Sequence, residues 1–432
     1  MKYKRLGDDR GLILPLALMA FVVLGALAAA ILSTGGSEVQ IASNLLRAIQ
    51  AQFQAEAGLE HAFNTLRTTP SYMTNANATL QNIIPTTQFG GAGNYTVQYQ
   101  KAGDYAWRVV STGVSAIGGS QAIRRAIMST FFRSNDAILT DGSMTIWGST
   151  DVLAIGGTCG NIHANGNLDL NGSNVQINGN ATATGTYTAT ANPTVGTGSG
   201  GANPDSTLLC PSCPRETVPH IDPADFLTAA TNLLAGHLDH LYQLTVNATT
   251  GKGEVRDGSG TLLQTLNSGD TSTCGWKYTA DTPLATWKLN SGTPCNGTYY
   301  FQGTTEVASS PGYTSTPWLT TLIATGDVKI TGNPTIGADA AYTVHDSLFI
   351  AGRDVKIQGT PSNGYNGLIA AHEQFDLSGT GTIIGLIISE NALDTPGSLV
   401  SANTVNGNIT LTYNCGSTPP LQGPLQFLSW GL

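Results

Sequence analysis

GLILPLALMAFVVLGALAAAIL (residues 11–32) is the stretch whose reading decides what the rest of the chain is for. Residues 12–32 carry no charged side chain. As a helix rising about 1.5 Å per residue they reach about 30 Å, the thickness of a bilayer's hydrocarbon core. The apolar part of a removable secretory signal is shorter, about 7 to 15 residues. Lys2, Lys4, Arg5 and Arg10 precede the stretch, against Asp8 and Asp9, so the positive-inside rule keeps the amino terminus cytoplasmic and sends the remainder across. The competing reading is signal-peptidase cleavage after Ala28-Ala29-Ala30.

Beyond it, residues 33–36 (STGG) read as a flexible or locally unwound joint, and Ser37 with Gln40 has the spacing of a capping box, which predicts a second helix starting there. Val39, Ala42, Leu46, Ile49 and Phe53, then Ala57, Leu59, Phe63 and Leu66, fall mostly three or four residues apart until Pro70. That is the pattern of an amphipathic helix of about 30 residues.

RGLILPLALMAFVVLGALAAAIL followed by SNLLRAIQAQFQAEAGLEHAF resembles the amino-terminal segment of PilX-type minor pilins of the type IV pilus system, most closely in the Ala-Glu-Ala-Gly-Leu-Glu run at 55–60. The resemblance spans about residues 5–68. It implies prepilin-peptidase cleavage after Gly11, with Leu12 as the new first residue. It also implies a helix, including Leu12, Leu16, Phe21, Val22, Leu24, Leu27 and Ile31, that serves first as anchor and later as filament core. Major pilins carry a glutamate at the fifth mature position; here that position is Leu16. A carboxylate among apolar helices is costly unless it is paired, and Leu16 makes no such pair, which fits a low-copy or tip subunit. The implied partners are the inner membrane, prepilin peptidase, other major and minor pilins, the assembly platform, and a tip adhesin or surface ligand. The implied location is single-pass in the inner membrane, then periplasmic or extracellular in a pilus.

After Pro70, YTVQYQK, YAWRVVSTG and AIRRAIMSTFF read as three antiparallel strands packed on the second half of the helix. Beyond Ser134 the texture changes to short apolar pairs between Gly and Asn. DGSMTIWGS (141–149) and NGNLDLNGS (165–173) align at an offset of 24, and TGDVKITGN (325–333) and AGRDVKIQG (351–359) repeat the pattern. GLIAA (367–371) and GLIIS (385–389) recur at an offset of 18. Such repeats suit a parallel β-solenoid, with a β-sandwich as the alternative. Residues 190–320 read as an insertion, with a helix in DPADFLTAATNLLAGHLDHLY that puts Phe226, Ala229 or Ala230, Leu233 and His237 on one face.

The fold class expected is therefore α+β: leader 1–11, membrane half of the helix 12–36, amphipathic helix and small antiparallel head 37–133, and a mainly-β, solenoid-like outer part 134–432. A formal charge of −9 and no basic run beyond the first ten residues give no footprint for nucleic acid. Six cysteines, Cys159, Cys210, Cys213, Cys274, Cys295 and Cys415, all lie on the exported side, where disulfides persist; the pairing is open, although Cys274 and Cys295 flank one Trp/Tyr segment. Cys210 and Cys213 with His237 and His240 form a zinc-like set, but the wide gap between pairs favours oxidised cysteines and no metal. No cofactor is called for. Asp169, Asp327, Asp354 and Asp376 in the repeats raise the alternative of a membrane-tethered β-helix carbohydrase; a solvated face is the simpler reading. The expected role is a non-enzymatic, low-copy pilin-like subunit for assembly and adhesion or display. A minor pseudopilin of a type II secretion system is the alternative.

Overall fold

A computed structural model describes residues 10–69, 72, 76–77, 79–88, 91, 93–103, 106–131, 134–155, 159–172, 174–190, 193–196, 209–211, 213–290, 292–360, 364–414 and 422–431. A long amino-terminal helix is followed by mainly β-structure, and the chain divides into two compact units, 1–130 with 425–432, and 131–424.

In the first unit, helix α1 (Arg10–Thr68) runs unbroken for 59 residues. The joint expected at 33–36 is absent: Gly35 and Gly36 are helical, as are Ser37 and Gln40. Two glycines weaken a helix by about 1 kcal/mol each, which long helical runs on both sides override. The sheet has five strands where three were expected. β1 (Gln81–Gln88), β2 (Gly93–Gly103), β3 (Ala106–Ser115) and β4 (Gln121–Phe131) form an antiparallel meander, and the carboxy-terminal strand Gln422–Gly431 is added next to β4. Strict alternation in β3 buries Trp107, Val109, Ser111, Gly113 and Ser115 on one face.

The second unit consists of two sheets, of 14 and 13 strands, that do not join into a closed wall among the described residues. Most of their ladders are parallel, and the sequence offsets reappear as ladder register. Met144 pairs with Leu168 and Ile146 with Leu170; Ile369 pairs with Ile387 and Ala370 with Ile388. In one sheet an apolar column runs through Leu289, Val307, Ile330, Ile357, Leu377, Val405, Ile146 and Leu170. In the other, Tyr299, Leu322, Phe349, Ile369, Ile387, Ile138 and Ile162 line up likewise. Both columns belong to one buried cluster.

At one corner the glycines also stack. A Cβ on Gly407 would strike the carbonyl of Gly379, one on Gly379 that of Gly359, and one on Gly359 that of Gly332. Gly379 and Gly407 further hold positive φ, of 116° and 124°, so the repeat demands glycine for space and for conformation.

The expected insertion is smaller than its assigned 190–320. Strands Leu241–Val246, Thr286–Leu289, Gly297–Phe301, Thr304–Val307 and Trp318–Ala324 belong to the same two sheets. Aromatic rungs fill the interior here: Trp276, Tyr299, Phe301 and Trp318 are buried against one another. The helix of this region, α2 (Pro223–Leu233), is capped by Asp222, whose carboxylate accepts from the Ala224 amide at 2.9 Å. It is eleven residues long, and His237 lies beyond it, just before a separate 3-10 turn, Leu238–His240. Phe226, Ala229 and Ala230 face inward as expected, but Leu233 is exposed and Leu234 takes the buried place.

Candidate functional site

Among the described residues one helix, α1, is long and apolar enough to cross a membrane. Eleven large apolar side chains between Leu14 and Leu32, among them Leu16, Phe21, Val22, Leu24, Leu27 and Ile31, are more than half exposed. Covering such side chains is worth about 1.5–3 kcal/mol each, on the order of 20–30 kcal/mol together. That exceeds the whole stability of an ordinary domain, about 5–15 kcal/mol, and the described residues give the segment no apolar cover. Gly11 and Leu12 lie in the first turn of the helix, and their side chains fall outside the described residues.

The second half of α1 is seated on the sheet along a stripe of Ala51, Ala55, Leu59, Ala62 and Leu66, each fully buried. Three of its five positions are alanine, because the backbones nearly touch. A Cβ on Gly58 would collide with Ser111, and one on Gly113 with the backbone of Ala51 and Ala55. Glu56 of the same Ala-Glu-Ala-Gly-Leu-Glu run meets the buried Arg124 of β4 at 2.9 Å, and His61 Nδ1 meets the Tyr95 hydroxyl at 2.9 Å. Gly113 and Arg124 were missed in the sequence, where nothing distinguishes them from other strand residues. Val39, Leu46, Ile49 and Phe53, expected on the inward face, are exposed instead, with Ile41 and Leu45. The uncovered apolar surface thus continues well past Leu32.

The other expected sites resolve individually. Cys274 and Cys295 form a disulfide, with Cα atoms 4.9 Å apart. Cys159 and Cys213 are each part of a disulfide as well, and no described cysteine is free. The side chain of Cys210 and all of Cys415 lie outside the described residues. A sulfur in a disulfide is no thiolate, so Cys213 cannot join His237 and His240 as a zinc ligand. Those two rings stack on each other with centroids 5.8 Å apart, and His240 Nδ1 is bonded to the Ala341 carbonyl at 3.0 Å.

The four aspartates hold neighbouring strands together. Asp354 accepts from Ser398 Oγ and from the amides of Leu399, Val400 and Gln374. Asp327 accepts from Thr304 Oγ1 at 3.2 Å and faces Arg353 at 3.7 Å; burial pushes its carboxyl above the usual range, against the pull of that guanidinium. Asp376 and Asp169 stand in one polar column, Lys288, Glu306, Lys329, Lys356, Asp376, Thr404, Thr145, Asp169 and Thr188, that crosses the sheet rung by rung. Lys288 and Lys329 reach Glu306 at 3.2 and 3.5 Å, and Lys356 reaches Asp376 at 3.1 Å.

A more unusual acid was not anticipated. Burial, then a hydrogen bond and like charge from Glu216, push the Asp136 carboxyl up to about 8. Glu216 is delivered by the segment 213–222, which lies against the strand ends: its amide and carbonyl both bond the Asn165 side chain at 2.8 Å, and Arg215 pairs with Asp141.

No family model matches the chain, and no curated protein matches it. A search of solved structures matches the competence-associated pilin ComZ from Thermus thermophilus, at 15% identity over 89% of this chain and 97% of that one. The TM-score is 0.28, too low to establish a shared fold.

Proposed function

We propose that the chain is a minor pilin-like subunit of a type IV pilus, cut after Gly11, anchored in the inner membrane and incorporated at low copy near the tip for assembly and adhesion or display. The observation that carries this reading is the single unbroken helix α1, apolar and uncovered in its first half and seated on an antiparallel sheet in its second. Such a rod moves from lipid to a bundle of neighbouring rods without entering water. Pro15 supports the cleavage point. Inside a helix that starts at Arg10 it forfeits the hydrogen bond to the Gly11 carbonyl. In a chain that starts at Leu12 it falls among the first four residues, whose amides have no helical partner to lose. The outer unit we read as a parallel β-solenoid, on the strength of its continuous ladders and stacked glycines; its bulk suits a subunit present in few copies.

The test is the amino terminus and intact mass of the protein taken from its native membrane. A chain beginning at Leu12, and retention of the leader when Gly11→Arg is introduced, are expected. A product beginning near Ser33, or one of unchanged mature mass in the variant, overturns the reading. Recovery in sheared surface filaments separates the pilus role from that of a type II secretion pseudopilin.

A further inference from the structure

His220, His372 and Glu390 converge from three separate segments, and their ligand atoms lie within 4.8 Å of one another. The sheet register causes part of this. Ala370 pairs with Ile388 and Ala371 with Ser389, so the residues that follow, His372 and Glu390, leave adjacent strands at the same corner. The third group arrives on the segment 213–222. His220 Nδ1 approaches Glu390 Oε1 at 2.8 Å, and His372 Nδ1 is hydrogen-bonded to the other oxygen, Oε2. One carboxylate is therefore flanked by two imidazoles, each presenting the same ring nitrogen. The rings are edge to face, with centroids 5.6 Å apart.

We propose that these three residues bind a divalent transition ion of the Zn²⁺ class, which fastens the 213–222 segment to the strand corners. Two imidazoles and one carboxylate are a donor set this class favours over Ca²⁺ or Mg²⁺, which prefer oxygen. With metal–ligand bonds of about 2.0–2.2 Å, tetrahedral donors sit about 3.3 Å apart, so the pair now at 2.8 Å opens by roughly half an ångström. The ion replaces the Nδ1 protons, and each neutral ring keeps its proton on Nε2. The Glu373 and Asp222 carboxylates lie close enough to act on the His372 ring, so the surrounding charge favours a cation. Access is open, because the His220 side chain is 67% exposed. The other histidine cluster, His237, Asp239 and His240, comes from one short turn, and its stacked rings and occupied His240 Nδ1 suit it less.

The test titrates ZnCl2 into the full chain in detergent after removal of metal by a chelator, read by calorimetry, with CoCl2 as a spectroscopic stand-in. One ion per chain is expected, with visible Co²⁺ absorption of tetrahedral intensity. His372→Gln and His220→Gln should each weaken binding at least tenfold, while a His237→Gln/His240→Gln variant binds like the parent. His220 is exposed enough that its substitution leaves the fold intact, and melting curves of both variants verify it. No stoichiometric Zn²⁺ on the parent chain, undiminished binding in His220→Gln, or binding that follows His237 and His240 overturns the assignment.

Discussion

Asp136 is fully buried beside a second carboxyl, and that one placement has a pH signature. Burial and then Glu216 push its carboxyl up to about 8 from an ordinary value of 3.8. Folded protein therefore keeps this proton between about pH 4 and 8 while unfolded chain releases it. Unfolded chain binds fewer protons throughout that window, so the group's contribution to stability falls as pH rises through it. The melting temperature of the second unit should decline from pH 5 to pH 8 in scans of the full chain, and Asp136→Asn should flatten the decline. An unaltered slope in the variant would show that the proton sits elsewhere. Nothing in the sequence announced this: Asp136 and Glu216 are 80 positions apart, and only the seating of the 213–222 segment on Asn165 and Asp141 brings them together.

At the scale of elements, the contact between α1 and its sheet is decided by the absent side chains of Gly58 and Gly113. Gly113 faces the backbone of Ala51 and Ala55 with no room for a methyl group, whereas Gly35 has open space around it. Gly113→Ala should lift the helix from β3 and cost about 1–3 kcal/mol, the usual penalty for overpacking. Gly35→Ala should instead gain up to about 1 kcal/mol from helix propensity. Hydrogen exchange of the amides at 51–66 measures both: faster exchange is expected in the first variant and no loss of protection in the second. Equal protection in the two would remove the close approach from the account. The two halves of α1 and strands β2–β4 were legible because their apolar periods are strong, whereas the continuity of the helix through 33–36 was not. Nor was the facing of the helix. Val39, Leu46 and Phe53 repeat every seven residues and so do Leu59 and Leu66, but the step of six from Phe53 to Leu59 turns the two sets to opposite sides of the helix, and periodicity records that a face is apolar without recording what covers it. The alanine-rich stripe that does meet the sheet is quieter on any hydropathy scale than the bulky one left outside.

At the scale of the whole chain, the order of strands matters more than their number. Asp136–Thr140, the first strand of the second unit, lies in the middle of its sheet, between Asn161–Ala164 and Ile387–Ser389. The chain builds outward from there through Ala181–Ala183 to Leu209–Pro211. It resumes near the opposite end at Leu241–Val246, runs outward to Leu262–Leu266, and then works back from Gly297–Phe301 to its starting point. Repeats at offsets of 24 and 18 were visible in sequence because each is a local rung, whereas the return was invisible because it joins residues 249 and 259 positions apart. The strand Asn403–Asn414 closes the other sheet in the same way, pairing with Phe375–Ile384 on one side and with Met144–Gly148 and Asp151–Ile155 on the other. Val405, buried between Leu377 and Ile146, is thus the one rung both halves share in that column. A carboxylate there has no partner in the apolar column, and Val405→Asp should cost at least about 3 kcal/mol. The cost should fall on both halves at once: hydrogen exchange should accelerate in 161–183 and in 318–371 together. A chain that wound steadily from one end to the other would lose only the rungs next to its last coil. If 318–371 keeps its protection while 161–183 loses it, the two halves fold independently, and the closing strand is a cover laid over a finished core.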